Sequence, residues 1–291
     1  MATFSFVTGN SYSSGNSSSP TTITQYSPAG SVVGSLTLPT ALGTEVRGLS
    51  FGSDGYLYAT EVVGSGFNVV ALNSSGAVHQ TYTMPNVYAA GSVAFGGIAM
   101  DSQYIYVAAQ NQLTRFTLGN SSSGVSIYTN NQIYDTNVLP NGNLLVASAY
   151  QIQEITTSGT VVRTITPSVS LGDVRGIQYV AATNKLYVTM LGYTGYQFQL
   201  MRLDATTGAL EKNVSFNYAD DLSLDLSGNL VVGSWTQAPE VFDQNLNLIR
   251  TLGTSPELFV TVDTLPVPEP GTALVGLALC GVGVLRRRRI V

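Results

Sequence analysis

The chain has 291 residues, of which 44% are apolar and only 10% charged, with a formal net charge of −5. Four of its twelve basic residues lie in the last six positions, which leaves eight basic against seventeen acidic side chains, −9, in the body. A body that acidic offers no electrostatic footprint for nucleic acid, and the single cysteine, Cys280, allows neither an intrachain disulfide nor a cysteine-built metal site.

In chain order, Thr3–Val7 reads as a β-strand and residues 10–20 as a polar loop. Ile23–Tyr26 and Ser31–Val33 read as two further strands around a Ser27–Gly30 turn. Asn-x-Ser matches at Asn16, Asn73 and Asn120 fall in polar runs and read as turn composition. From residue 46 a pattern recurs: a short apolar strand, a tight turn, and a second strand. The instances are Val46–Phe51 with Tyr56–Thr60, Gly97–Met100 with Tyr104–Ala108, Thr136–Leu139 with Asn143–Ala147, Val174–Tyr179 with Lys185–Thr189, and Asp221–Leu224 with Asn229–Gly233. The intervening turns carry Asp, Asn and Gly, as tight turns require. A second hairpin follows in each unit, as in Val69–Leu72 with Ala77-Val78, and Ile152–Ile155 with Thr160–Val162. Leu49, Ile98, Asn137, Ile177 and Leu222 are equivalent, at steps of 49, 39, 40 and 45 residues.

Four strands per unit at this spacing is the signature of a β-propeller. A sixth first strand falls near Phe259 with no hairpin after it, and the N-terminal strands supply what it lacks. The expected fold is therefore all-β: a six-bladed propeller over residues 1–265, closed by N- and C-terminal strands. Closure removes exposed sheet edges. Seven blades and a two-sheet sandwich are the competing architectures.

Residues 266–291 are of a different kind. Prolines at 266, 268 and 270 make an extended spacer. Residues 271–285 are uncharged and apolar. As a helix they span roughly 22 Å against a hydrocarbon core of roughly 30 Å. Arg286, Arg287, Arg288 and Arg289 follow, a cluster that stops transfer and holds its end in the cytoplasm. A transmembrane helix at 271–285 is expected. The order of these parts resembles the PEP-CTERM sorting signal of bacterial exported proteins, with Val267, Pro268, Glu269 and Pro270 as the motif. That resemblance implies export, membrane anchorage through the C-terminus, recognition by an exosortase-type transpeptidase, and delivery to the cell surface or extracellular matrix. It also implies a leader. Met1–Val7 has neither the basic nor the apolar part of one, so a leader is expected upstream of Met1.

The repeats over residues 46–262 resemble NHL-repeat and gluconolactonase-like propellers. In that group the resemblance implies a channel cluster of Glu, Asn and Asp ligands for calcium. The acidic and amide residues near the innermost strands are Glu45, Asp135, Asn137, Asp173, Asp220, Asp221 and Glu257. Hard oxygen ligands of this kind suit Ca²⁺. Arg47 and Arg175 stand two residues from Glu45 and Asp173, a spacing that suits salt bridges in surface loops instead. Asn137 replaces the Leu or Ile of the other units, as a channel-facing or a core amide. The only histidine, His79, follows an outer turn, so a Ser-His-Asp triad has no base. Trp235 and the sixteen tyrosines suit either sugar stacking or plain strand packing.

Two functional readings stand. The first is a non-enzymatic surface protein whose propeller binds exopolysaccharide or another surface protein. The second is a channel-mouth metal-dependent hydrolase, lactonase or lyase. The lack of histidine and the sorting tail favour the first; fold alone decides neither.

Overall fold

The computed structural model describes residues 6–9, 22–38, 45–63, 66–84, 96–121, 124–169, 172–191, 198–256 and 259–262. The helix expected at 271–285, the sorting motif, the four arginines and Glu257 lie outside them.

Within these residues the chain forms strands only, joined by turns. β1 (Phe6–Gly9), β2 (Thr22–Tyr26) and β3 (Val32–Thr37) come first. Blade 1 follows with β4 (Glu45–Phe51), β5 (Leu57–Val63), β6 (Gly66–Leu72) and β7 (Val78–Thr83). Blade 2 holds β8 (Ile98–Met100), β9 (Tyr104–Ala109), β10 (Gln112–Thr117) and β11 (Val125–Thr129). Blade 3 holds β12 (Ile133–Val138), β13 (Leu144–Ser148), β14 (Gln151–Ile155) and β15 (Val161–Ile165). Blade 4 holds β16 (Asp173–Val180), β17 (Lys185–Leu191), β18 (Phe198–Asp204) and β19 (Leu210–Ser215). Blade 5 holds β20 (Ala219–Leu224), β21 (Leu230–Ser234), β22 (Glu240–Phe242) and β23 (Leu248–Thr251), and β24 (Phe259–Val262) ends the series.

Each blade is a four-stranded antiparallel meander, and a further four-stranded sheet has the order β24-β1-β2-β3. The first strands β4, β8, β12, β16, β20 and β24 touch one another in turn, and β24 touches β4. The fold is an all-β propeller. Two inner strands begin earlier than the sequence suggests, β12 at Ile133 and β20 at Ala219. Asp135 and Asp220 therefore lie inside strands rather than before them. Bulges at these positions break the alternation that marks a strand in sequence.

The core lies between sheets. In β5, Tyr58 and Val62 pack toward blade 2 with Ile105, Val107 and Phe116, whereas Leu57 and Ala59 pack the other way with Ile23 and Leu38. Burial on both faces explains why second strands read as continuous apolar runs. Each fully buried Leu, Val or Phe contributes about 1.5–3 kcal/mol.

The two ends of the ring differ. At one end each strand pair closes in a tight turn. Asp225 Oδ1 accepts from Ser227 N and Asn229 N, both at 2.8 Å. Asp243 does the same for Asn245 and Asn247, both at 2.8 Å. We call this the turn face, and the opposite end, where inner strands begin, the entry face. Val262 pairs with Phe6, Phe6 pairs with Tyr26, and Tyr26 leads into the Ser27–Ser31 turn. The chain thus leaves β24 at the turn face. The pairing of third with outer strand is bulged in every sheet. The bulges twist the free edges where Val32, Val33, Val161, Val162, Leu248 and Ile249 are exposed and blunt them against pairing with other chains.

Candidate functional site

Four inner strands change register near their start: between Val46 and Gly48, Ile133 and Asp135, Val174 and Gly176, and Ala219 and Leu222. The residues in those gaps are Arg47, Tyr134, Arg175 and the pair Asp220–Asp221. A bulge takes a residue out of the ladder and re-aims its side chain. Here four bulges serve one place, the entry end of the channel. The repeated Arg-Gly step has a packing reason. A Cβ on Gly48 would lie 2.0 Å from Gly96 O, and one on Gly176 would lie 2.7 Å from Asp220 O. Only glycine lets neighbouring inner strands approach so closely.

The re-aimed side chains form a buried plug. Arg175 Nη1 donates to Asp220 Oδ1 at 3.1 Å, and Arg175 Nη2 lies 3.7 Å from Asp173 Oδ2. The Arg175 guanidinium sits over the Tyr134 ring, 5.2 Å from its centroid. Tyr134 belongs to one buried cluster with Val46 and Leu49 of blade 1, so its ring reaches across the channel mouth. Trp235 Nε1 donates to Asp220 Oδ2. Burial pushes the Asp220 carboxyl up to about 6, although Arg175 and Arg47 pull it down. Asp173 and Arg175 do pair, but inside the buried start of β16 rather than in the surface loop their spacing suggested, and Arg175 also holds Asp220. Glu45 begins β4; its side chain lies outside the described residues.

Beyond the plug a cavity of about 200 Å³ runs toward the turn face, lined in part by Ser50, Asp135, Asn137, Gln178, Asp221 and Ser223. Its carboxylates are stitched to the next blade. Asp135 Oδ2 accepts from Ile177 N at 2.8 Å, and Asn137 Oδ1 from Tyr179 N at 3.3 Å. Asp221 accepts from Leu222 N at 2.8 Å and from Val260 N at 2.9 Å. Burial pushes Asp135 up to about 7 despite its backbone donors. Burial, then the Asp135 charge, raises Asp221 well above the carboxylate range. Both carboxyls are thus shifted toward the protonated form, and both accept backbone hydrogen bonds that bridge neighbouring blades.

The acidic set read from sequence is thus divided between two levels. Asp173 and Asp220 belong to the plug with Arg175, while Asp135, Asn137 and Asp221 belong to the cavity. No group of three or more His, Cys, Asp or Glu placed to hold a metal occurs among the described residues. His79 stacks on Tyr56 on the outside of blade 1, 4.2 Å between centroids.

Three features were missed in the sequence. Glu61 is 1% exposed, and neither carboxyl oxygen has a hydrogen-bond partner among the described residues. Burial pushes it up to about 8. Aligning the second strands on Leu57, Ile105, Leu144, Leu186 and Leu230 sets Glu61 against Ala109, Ser148, Met190 and Ser234, a signal the repeats did contain. Trp235 was noted only as a generic platform, without its partner Asp220. Tyr150 and Tyr218 sit at φ 66° and 51°, which no local pattern announces.

Residues 266–289 match the model of the PEP-CTERM protein-sorting motif. No curated protein sequence matches the chain. Among solved structures, the nidogen/laminin complex contains a chain that is similar at TM-score 0.66 and 13% identity, covering 89% of this chain and 98% of that one. A protein of unknown function from Bacteroides caccae gives 0.62 and 11%, covering 90% and 99%. A gluconolactonase from Xanthomonas campestris gives 0.57 and 15%, covering 87% of each chain. At these identities the likeness is one of fold. The chain is a β-propeller bearing a PEP-CTERM motif, the kind of tail that exosortase processes.

Proposed function

We propose that this is an exported bacterial surface protein, a six-bladed ring over residues 1–265 anchored by a membrane helix at 271–285. An exosortase-type enzyme acts at Val267–Pro270, and the freed propeller serves as a binding or scaffold module for exopolysaccharide. The observation that carries this reading is the sorting motif at 266–289, only a few residues after β24 ends at Val262. β24 ends at the turn face, at the opposite end of the ring from the entry face. The plug supports binding over channel catalysis, because the channel carboxylates are engaged by an arginine, an indole and backbone N–H groups. Replacing Pro268 and Glu269 by Ala should leave the chain membrane-bound at its unprocessed mass. Leu277→Asp with Leu279→Asp should abolish insertion, each charge costing about 2.5–3.5 kcal/mol at mid-helix. A chain truncated after Leu265 that still fractionates with membranes would contradict the anchor.

A further inference from the structure

We propose that the entry face across blades 3 to 5 binds a neutral polysaccharide, with Tyr150, Tyr218 and Trp235 as stacking platforms around the Asp173–Arg175–Asp220 network. The proposal rests on the binding-module reading above and gives it a site and a ligand class.

A chain of contacts makes the site continuous. Trp235 N donates to Tyr218 O at 3.3 Å, and the Trp235 indole donates to Asp220. Asp220 pairs with Arg175, which lies beside Asp173. Asp173 bridges to Ala149, and the adjacent Tyr150 N donates to Gly172 O at 3.2 Å. The three aromatics are nonetheless exposed, at 56% for Tyr150, 44% for Tyr218 and 40% for Trp235. Two of them hold a left-handed backbone that Gly or Asn adopts far more readily. The same backbone recurs at Gln110 and Gln132 in the equivalent connections, so it belongs to the turns; what sets Tyr150 and Tyr218 apart is a large ring held out in solvent. The Asp220 bond fixes the indole, so its ring is set before a ligand arrives.

The chemistry of the rim selects the ligand. The described connections on this face, 110–111, 130–132, 149–150, 216–218 and 235–239, contain no charged residue. They offer amides instead, among them Gln132, Asn217 and Gln237. Flat rings for the C–H faces of a sugar, with amides for its hydroxyls, suit an uncharged hexose chain. A ring of net charge −8 over residues 1–265 disfavours a polyanion.

Trp235 is the only tryptophan in the protein, so its fluorescence reports on the site directly. The full chain in detergent is titrated with cellohexaose, with a mixed-linkage β-glucan, and with polygalacturonate as the acidic control, alongside Tyr150→Ala, Tyr218→Ala and the double variant. A neutral probe should shift Trp235 emission saturably. Each single variant should weaken binding about tenfold with an unchanged melting curve, and polygalacturonate should give no shift. Neutral-glycan binding that the double variant keeps overturns the platform and leaves the binding module standing. Binding of polygalacturonate alone overturns the ligand class. Failure to bind any of the three, by fluorescence and by pull-down on insoluble glucan, overturns the binding-module reading together with the platform.

Discussion

The turn face and the entry face of the ring are built from the same strands and obey different rules. On the turn face, Asn73, Asp225 and Asp243 each close a turn with two backbone N–H bonds, and the positive φ falls on glycine at Gly76, Gly142 and Gly228 and on Asn184 and Leu246 in two other turns. On the entry face the described positive-φ residues are Gln110, Gln132, Tyr150 and Tyr218, two of them exposed aromatics. The first face is repeated because each blade must be closed. The second varies in its side chains, and it carries exposed aromatics and the mouth of the channel. The difference separates what holds the ring together from what the ring presents.

The largest break in this comparison removes the closure. Deleting residues 1–33 strips β24 of β1 and β2, opens the ring and bares the edges of two sheets. Loss of a cooperative melting transition and aggregation in size-exclusion chromatography are expected; a soluble monomer with a sharp transition would refute the closure.

A smaller effect concerns the buried acids. Glu61 stands near 4.5 when unfolded and is raised to about 8 in the fold. The folded chain then holds a proton that the unfolded chain has lost, so stability falls as pH climbs between those values. Asp220, raised to about 6, and Asp135, raised to about 7, act in the same sense over narrower windows. Melting temperature should therefore decline from pH 5 to pH 8. Glu61→Gln, which resembles the protonated acid, should raise it by several degrees at pH 8 and hardly at pH 4.5. Equal shifts at both values would show that Glu61 does not titrate there.

The turn face was legible in sequence and the entry face was not. Turns such as Asp225–Gly228 and Asn73–Gly76 are local: the residue that caps the turn lies in the turn. Strand order follows, since hairpins leave few alternatives. The plug is not local. Arg175 meets Asp220 forty-five residues away, and Arg47, Tyr134 and Arg175 reach the mouth through bulges that hide the strand period. Asp135 and Asp221 carried no mark separating them from Asp173 and Asp220; only the structure sorts them into two levels.

The smallest effect tests the left-handed backbone itself. Tyr218→Asn relieves an aromatic from the left-handed region and should raise the melting temperature by about 2 °C while weakening glycan binding. A lower melting temperature would mean that Tyr218 serves packing.

The claim that the ring binds through its entry face is tested most directly by hydroxyl-radical footprinting of the full chain with and without the mixed-linkage β-glucan. Protection at Tyr150, Tyr218 and Trp235, with Tyr56, Tyr104 and Tyr179 near the turn face unchanged, is the predicted result. Protection at the turn-face tyrosines with the entry-face aromatics unaltered would contradict it.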